Sequence, residues 1–173
     1  GNVVSITQTL GGGFGCGAAM GETGIFLNNM ASWFDISENS PNKIGPNKKV
    51  DFVVAPVHVA KDNQFILSIG TPGSWGILQT TPQIITNILN YGMNIQEAIE
   101  SPRFKVLSNK HVQMENRFKD DCIKKLMKSG HSVEIIDDWS PIVGGAQGIK
   151  LDKETNVFYG GADPRRDGVA IGW

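Results

Sequence analysis

Residues 69–106, IGTPGSWGILQTTPQIITNILNYGMNIQEAIESPRFKV, constrain the fold of this chain more than any other stretch. They lead from the end of an apolar strand, residues 65–69, through a glycine-rich turn, Gly70-Thr71-Pro72-Gly73-Ser74-Trp75-Gly76, into a long amphipathic helix. Such a turn is suited to building a site, because glycines let main chain approach another atom closely and N–H groups ahead of a helix can gather on developing negative charge. The periodicity predicts a helix from near Thr81, with Pro82 preset for its first turn, with Ile84, Ile85, Ile88 and Leu89 buried and with Gly92 ending it. Asn94 and Glu97 read as the capping box of a second helix, which Ser101-Pro102 stops.

The flanking sequence reads mainly as strands. Residues 2–9 alternate and enter a loop, Gly11-Gly12-Gly13-Phe14-Gly15-Cys16-Gly17. With Ala18 this loop fits a dinucleotide-binding pattern, but that pattern needs a helix opening there, and Met20-Gly21-Glu22-Thr23-Gly24 and a strand over 25–28 follow instead. Residues 37–49 are a surface loop by composition. Residues 51–60 and 64–69 form a hairpin around Lys61-Asp62-Asn63, with His58 an edge or satisfied histidine inside the first strand. Beyond the two helices come a strand over 111–115, a helix over 117–129 with Phe118, Cys122 and Leu126 on one stripe and Gly130 closing it, and strands over 132–136, 144–151, 156–160 and 169–172. Strands, then a block of helices, then strands again predict α+β layering in place of regular βαβ alternation. At 173 residues and 40% hydrophobic content the chain can bury one core, so 1–173 reads as one domain or one obligate piece of a domain.

A formal charge of -1 gives no electrostatic footprint for nucleic acid or a membrane surface. Lys48-Lys49 and Lys124-Lys125 lie among acidic residues and read as solvated faces. No apolar run reaches the length of a membrane span, and the first residues lack the regions of a signal peptide; where the protein resides stays open. Cys16 and Cys122 form no C-x-x-C, leaving one disulfide or two thiols open. His58, His111 and His131 have no ligand spacing, so neither a metal nor another cofactor is expected.

Three segments in order, covering nearly the whole chain, resemble the light subunit of gamma-glutamyltranspeptidases. These are NVVSITQTLGGGFGCGAAMGETGIFLNN from Asn2, the G-x-P-G and YGMNIQEAIESPRF of the central stretch, and Ala162-Asp163-Pro164-Arg165-Arg166. The resemblance implies the N-terminal-nucleophile hydrolase fold, an αββα sandwich of mostly antiparallel sheets between helical layers, of which this chain is the light-subunit part. It also implies a partner, the heavy subunit of the same precursor, and a small-molecule amide or peptide-like substrate. The nucleophile of that family is a threonine freed at the light subunit's amino terminus, whose α-amine takes the hydroxyl proton. Here position 1 is Gly1, and matching Gly1-Asn2 places that threonine upstream of it.

By the same resemblance Thr9 supports the nucleophile, and Gly73 and Ser74 match the Gly-Gly whose N–H groups form the oxyanion hole. The family's gamma-glutamyl headgroup is held by an asparagine, a glutamine, an acidic residue and a serine pair; the matching positions are Gly11, Met30, Trp33, Phe52 and Val53, all changed. A zwitterion against these residues would lose charge-assisted hydrogen bonds of roughly 1.5–3 kcal/mol each. An amidohydrolase or acylase for a less polar acyl group is therefore expected; the alternatives are an inactive relative serving in binding or assembly, and a serine hydrolase built on Ser74, whose turn has Pro72 where a nucleophile elbow wants glycine.

Overall fold

A computed structural model describes residues 1–173. Contacts group them into two compact units, Gly1–Ile6 with Val54–Trp173, and Thr7–Val53.

The larger unit contains a four-stranded sheet of order β1-β2-β6-β7, antiparallel throughout, formed by β1 (Val57–Lys61), β2 (Gln64–Gly70), β6 (Gln147–Asp152) and β7 (Val157–Ala162). Two helices, α1 (Ile77–Leu89) and α2 (Ile95–Glu100), cover one of its faces. Leu67 and Ile69 of β2, Ile84 and Ile88 of α1, and Ile95, Ala98 and Ile99 of α2 make the core with Ala146. The second sheet has the order β3-β4-β5, from β3 (Phe104–Val106), β4 (His111–Glu115) and β5 (Ser132–Ile136), and α3 (Asp120–Lys128) connects its last two strands. Because β4 and β5 run parallel, the chain contains one βαβ unit inside its α+β layering.

The capping box of α2 is present in both directions, Glu97 N–H to Asn94 Oδ1 at 2.9 Å and Asn94 N–H to Glu97 Oε2 at 3.0 Å. Gly92 follows α1 with φ of 69°, and Ser101 caps α2. Helix α1 begins four residues earlier than its proline suggests: a 3₁₀ turn at Ser74–Gly76 runs straight into it, Thr80 Oγ1 back-bonds to Gly76 O at 3.0 Å, and Pro82 lies inside. With that start the buried stripe is Ile77, Thr80, Thr81, Ile84 and Ile88, and Leu89, about 100° further round, is exposed.

Several expected strands are shorter or absent, each for a hydrogen-bonding reason. β1 starts only after Pro56, which has no N–H to give a ladder. β6 starts at Gln147 because the Gly145 and Ala146 amides donate to side chains, Thr71 Oγ1 at 3.0 Å and Asp163 Oδ2 at 2.8 Å. Residues 2–9 and 169–172 pair with no strand of this chain, and 25–28 retain one bridge, Ala19 to Phe26. Helix α3 starts three residues late, since the Phe118 amide closes a turn on Glu115 O at 3.2 Å and the Arg117 side chain is drawn to Asp138 O and Glu100 O.

The smaller unit is a chain of turns with a 3₁₀ segment at Met30–Trp33. Cys16 and Cys122 are both free and exposed. His58 lies on edge strand β1 with its ring 6.3 Å from that of Phe65. No helix is long and apolar enough to cross a membrane.

Candidate active site

Strand β2 carries the chain to Gly70, and the turn that follows is shaped by Gly73 at φ 137° and Ser74 at φ 54°. Gly76 N–H closes it on Gly73 O at 3.0 Å. The first N–H groups of a helix have no intrahelical acceptor, and those of Gly73 and Ser74 donate to no loop carbonyl. Two adjacent main-chain donors therefore stand free at the positive end of the 13-residue helix α1. The Ser74 side chain is exposed, and a serine at positive φ here tolerates what a glycine would adopt freely.

Behind the turn sits Thr71, with 4% of its surface exposed. Its hydroxyl accepts a hydrogen bond from Gly145 N–H at 3.0 Å and donates one to Pro72 O at 3.0 Å. The facing residue is Gly144, at φ 102°, where a β-carbon would stand 2.3 Å from Thr71 Oγ1 and 2.9 Å from Pro72 O. Only a residue without a side chain lets the two segments lie this close.

In the smaller unit, Thr9 Oγ1 accepts from Gly11 N–H at 3.1 Å, and Asn29 Oδ1 accepts from Gly12 N–H at 2.8 Å. A β-carbon on Gly11 would lie 3.4 Å from Met30 Sδ, so Thr9, Gly11 and Met30 are neighbours. Trp33 and Phe52 also meet, ring centroids 5.7 Å apart, and Phe52 is half exposed while Val53 is buried.

A buried ion cluster stands at the end of α2. Arg103 pairs with Asp163 Oδ2, Arg165 grips Glu115 with Nε to Oε1 and Nη2 to Oε2, both at 2.6 Å, and also reaches Asp163 Oδ1 at 3.0 Å. Arg117 joins Glu115 Oε2 at 3.1 Å and lies 3.6 Å from the centre of the Trp139 ring. Burial raises the Asp163 carboxyl, but the Arg103 charge and the amides of Arg165 and Ala146 outweigh it and hold the group below its ordinary value. Burial likewise opposes the charge on Arg165, and its bonds to Glu115 and Asp163 carry it above the usual arginine value. For Arg103 burial wins and the value falls.

Residues 1–173 match the family described as gamma-glutamyltranspeptidase. The chain belongs to the gamma-glutamyltranspeptidase family. It is 41% identical over 177 residues to a glutathione hydrolase-like proenzyme of Bacillus subtilis (strain 168), an overlap of 99% of this chain and 34% of that protein. It is also 30% identical over 171 residues to an acylase proenzyme of Pseudomonas sp. (strain V22), covering 99% of this chain and 30% of that protein. A chain of the crystal structure of Helicobacter pylori gamma-glutamyltranspeptidase superposes with a TM-score of 0.85 at 32% identity, covering 96% of this chain and 95% of that one. The chain thus has the N-terminal-nucleophile hydrolase fold and spans about a third of the length of the curated relatives it matches.

Family members are hydrolases and transferases formed from autoprocessed precursors. Two family segments noticed in the sequence, S-P-R-F and A-D-P-R, turn out to supply Arg103, Asp163 and Arg165 of the ion cluster. Glu115, Arg117 and Trp139 carried no sequence signal, because the contacts that gather them into the cluster, Arg165 to Glu115 and Arg117 to Trp139, join distant parts of the chain. Thr71 and Gly144 were missed as a pair for the same reason. A groove of about 710 Å³ lies along α2, β6 and β7, lined by Asn94, Gln96, Lys150 and Tyr159 among others, and includes none of Thr9, Gly11, Met30, Trp33, Phe52, Val53, Gly73 and Ser74. No group of three or more His, Cys, Asp or Glu side chains is placed to hold a metal.

Proposed function

We propose that the complete protein is an N-terminal-nucleophile amidohydrolase or acyltransferase acting on an amide whose acyl group is less polar than gamma-glutamyl. The observation that carries the reaction class is the pair of free donors, the Gly73 and Ser74 N–H groups at the start of α1. In this reading the nucleophile is the threonine that self-cleavage of the precursor exposes, and no residue of this chain is assigned to it. Its hydroxyl adds to the acyl carbonyl while its α-amine takes the proton. The carbonyl oxygen becomes an oxyanion that accepts from Gly73 and Ser74. Collapse expels the amine, which receives the proton, and water or an acceptor amine then removes the acyl group by the same steps in reverse. Preorganised donors suit this step because they stabilise charge that appears only in the transition state, each worth on the order of 10²–10³ in turnover.

Thr9 supports the nucleophile in this scheme, and Gly11, Met30, Trp33, Phe52 and Val53 stand for the acyl-recognition positions. The Trp33–Phe52 ring pair favours an apolar or aromatic portion, and a relative named as an acylase agrees with latitude at the acyl group. The partner is the heavy subunit of the same precursor, a reading supported by relatives that are proenzymes of about three times this length.

The test is to express the complete protein, look for self-cleavage by mass spectrometry, and compare gamma-glutamyl with phenylacetyl and alkanoyl anilides. Self-cleavage at a threonine and higher kcat/KM on the apolar anilides is the expected result. Faster glutamyl turnover would overturn the specificity, and an uncleaved protein inert on all of them would point to an inactive relative.

A further inference from the structure

We propose that Thr71 is a positioning residue for the oxyanion donors, a clamp that sets the direction of the Gly73 N–H; this rests on the assignment of the Gly73 and Ser74 N–H groups as those donors. The Thr71 hydroxyl donates to Pro72 O at 3.0 Å. Pro72 C=O and Gly73 N–H belong to one planar trans peptide and point in opposite directions, so holding the oxygen aims the N–H away from Thr71. Free of that bond, the peptide between a proline and a glycine at φ 137° would have little else to fix its plane.

The clamp has a fixed jaw. Thr71 Oγ1 accepts from Gly145 N–H at 3.0 Å, and the next amide, Ala146, donates to Asp163 Oδ2 at 2.8 Å. Asp163 is in turn held by Arg103 and Arg165. Gly144 completes the fit, since a β-carbon there would stand 2.3 Å from the Thr71 hydroxyl oxygen. With 4% of its surface exposed, Thr71 reaches the chemistry only through the peptide it orients.

The experiment compares Thr71→Val, which keeps the shape and removes both hydrogen bonds, with Thr71→Ser, which keeps both, in the complete protein. Activity is expressed per active site titrated, so partial misfolding does not count as lost catalysis; Thr71→Ala replaces the valine variant should that one fail to fold. Expected is a fall of about tenfold or more in kcat for Thr71→Val with KM within about twofold, the full loss of one donor being on the order of 10²–10³. Thr71→Ser should recover most of that loss. Hydrogen exchange at the Gly145 amide should accelerate in Thr71→Val and stay slow in Thr71→Ser. A valine variant with wild-type kcat per site, a change confined to KM, or a serine variant as impaired as the valine one overturns the clamp. Ser74→Ala separates the two ideas: its abolition of activity would overturn the donor assignment and the clamp together, whereas a mild Ser74→Ala beside a harmless Thr71→Val overturns the clamp alone.

Discussion

Arg165 holds Glu115 through two parallel hydrogen bonds of 2.6 Å, Nε to Oε1 and Nη2 to Oε2, across 50 positions of sequence. The same carboxylate accepts the amides of Arg103 at 2.8 Å and Ser140 at 3.1 Å, so it ties together the end of α2, strand β4 and the approach to the Gly144 segment. Arg103, Glu115 and Asp163 are fully enclosed, and the planar fork of arginine is what lets so many acceptors be met at once. Arg103 Nε and Nη1 have no protein partner, so the second cation of the cluster is less completely satisfied than Arg165.

Removing one member of this pair should therefore cost far more than a surface ion pair. Glu115→Gln or Arg165→Met in the complete protein is expected to lower unfolding stability by about 3–5 kcal/mol, because each strips a buried charge of its two-point partner and leaves only the single ion pair to Asp163 or Arg117. Arg165→Lys should rescue little, a single ammonium being unable to reproduce the two-point grip. Denaturant midpoints at constant slope measure this, and a loss below about 1 kcal/mol would place the pair among exposed ones.

The pH dependence follows from Asp163. Its folded value lies below the ordinary 3.8, so the stability it contributes is fully present above that value and is lost as pH falls through the depressed folded one. The thermal midpoint should drop as the protein is acidified below pH 3.8, and Asp163→Asn should be less stable at neutral pH with the gap to wild type closing in acid. A gap that stays constant from neutral to strongly acidic pH would show that Asp163 does not carry this dependence.

Ser74 lies at φ 54°, where a side chain is strained and glycine is not. Ser74→Gly is expected to be neutral or to stabilise by roughly 1 kcal/mol. Ser74→Ala should lose less than about threefold in kcat, since the main-chain N–H that matters for an oxyanion survives. Steady-state kinetics and thermal melts on the two variants check this, and an inactive alanine variant would instead assign Ser74 as a nucleophile.

The face of the four-stranded sheet away from α1 and α2 carries a row of rings, His58 with Phe65 at 6.3 Å and Phe65 with Phe158 at 6.4 Å, beside exposed Ile149. Contiguous apolar surface beyond a few hundred Å² is uncommon on a monomer. The 173-residue chain alone should bind an apolar dye and self-associate, and co-expression with the rest of the precursor should suppress both. A monodisperse monomer with a sharp thermal transition in the ultracentrifuge and calorimeter would count against it.

Local rules made a good part of this chain legible from its residues. Asn94 with Glu97, Gly92 and Ser101-Pro102 each act within a few positions, and the structure places the boundaries of α2 and the end of α1 where they indicate. The turn before α1 and its family segments were equally visible, since φ preferences and motif order need no distant partner. Long-range packing decided the rest. Whether residues 2–9 or 169–172 became strands depended on a neighbour to bond to, and Leu89 was exposed because the true start of α1 rotated its buried stripe. β6 lost its first residues because the Gly145 and Ala146 amides found Thr71, 74 positions away, and Asp163. Composition and periodicity show which residues want burial or a partner; the partner itself, as for Glu115 and Arg165 or Thr71 and Gly144, exists only once the chain has closed, because hydrogen bonds and steric contact act over a few ångströms of space and not along the sequence.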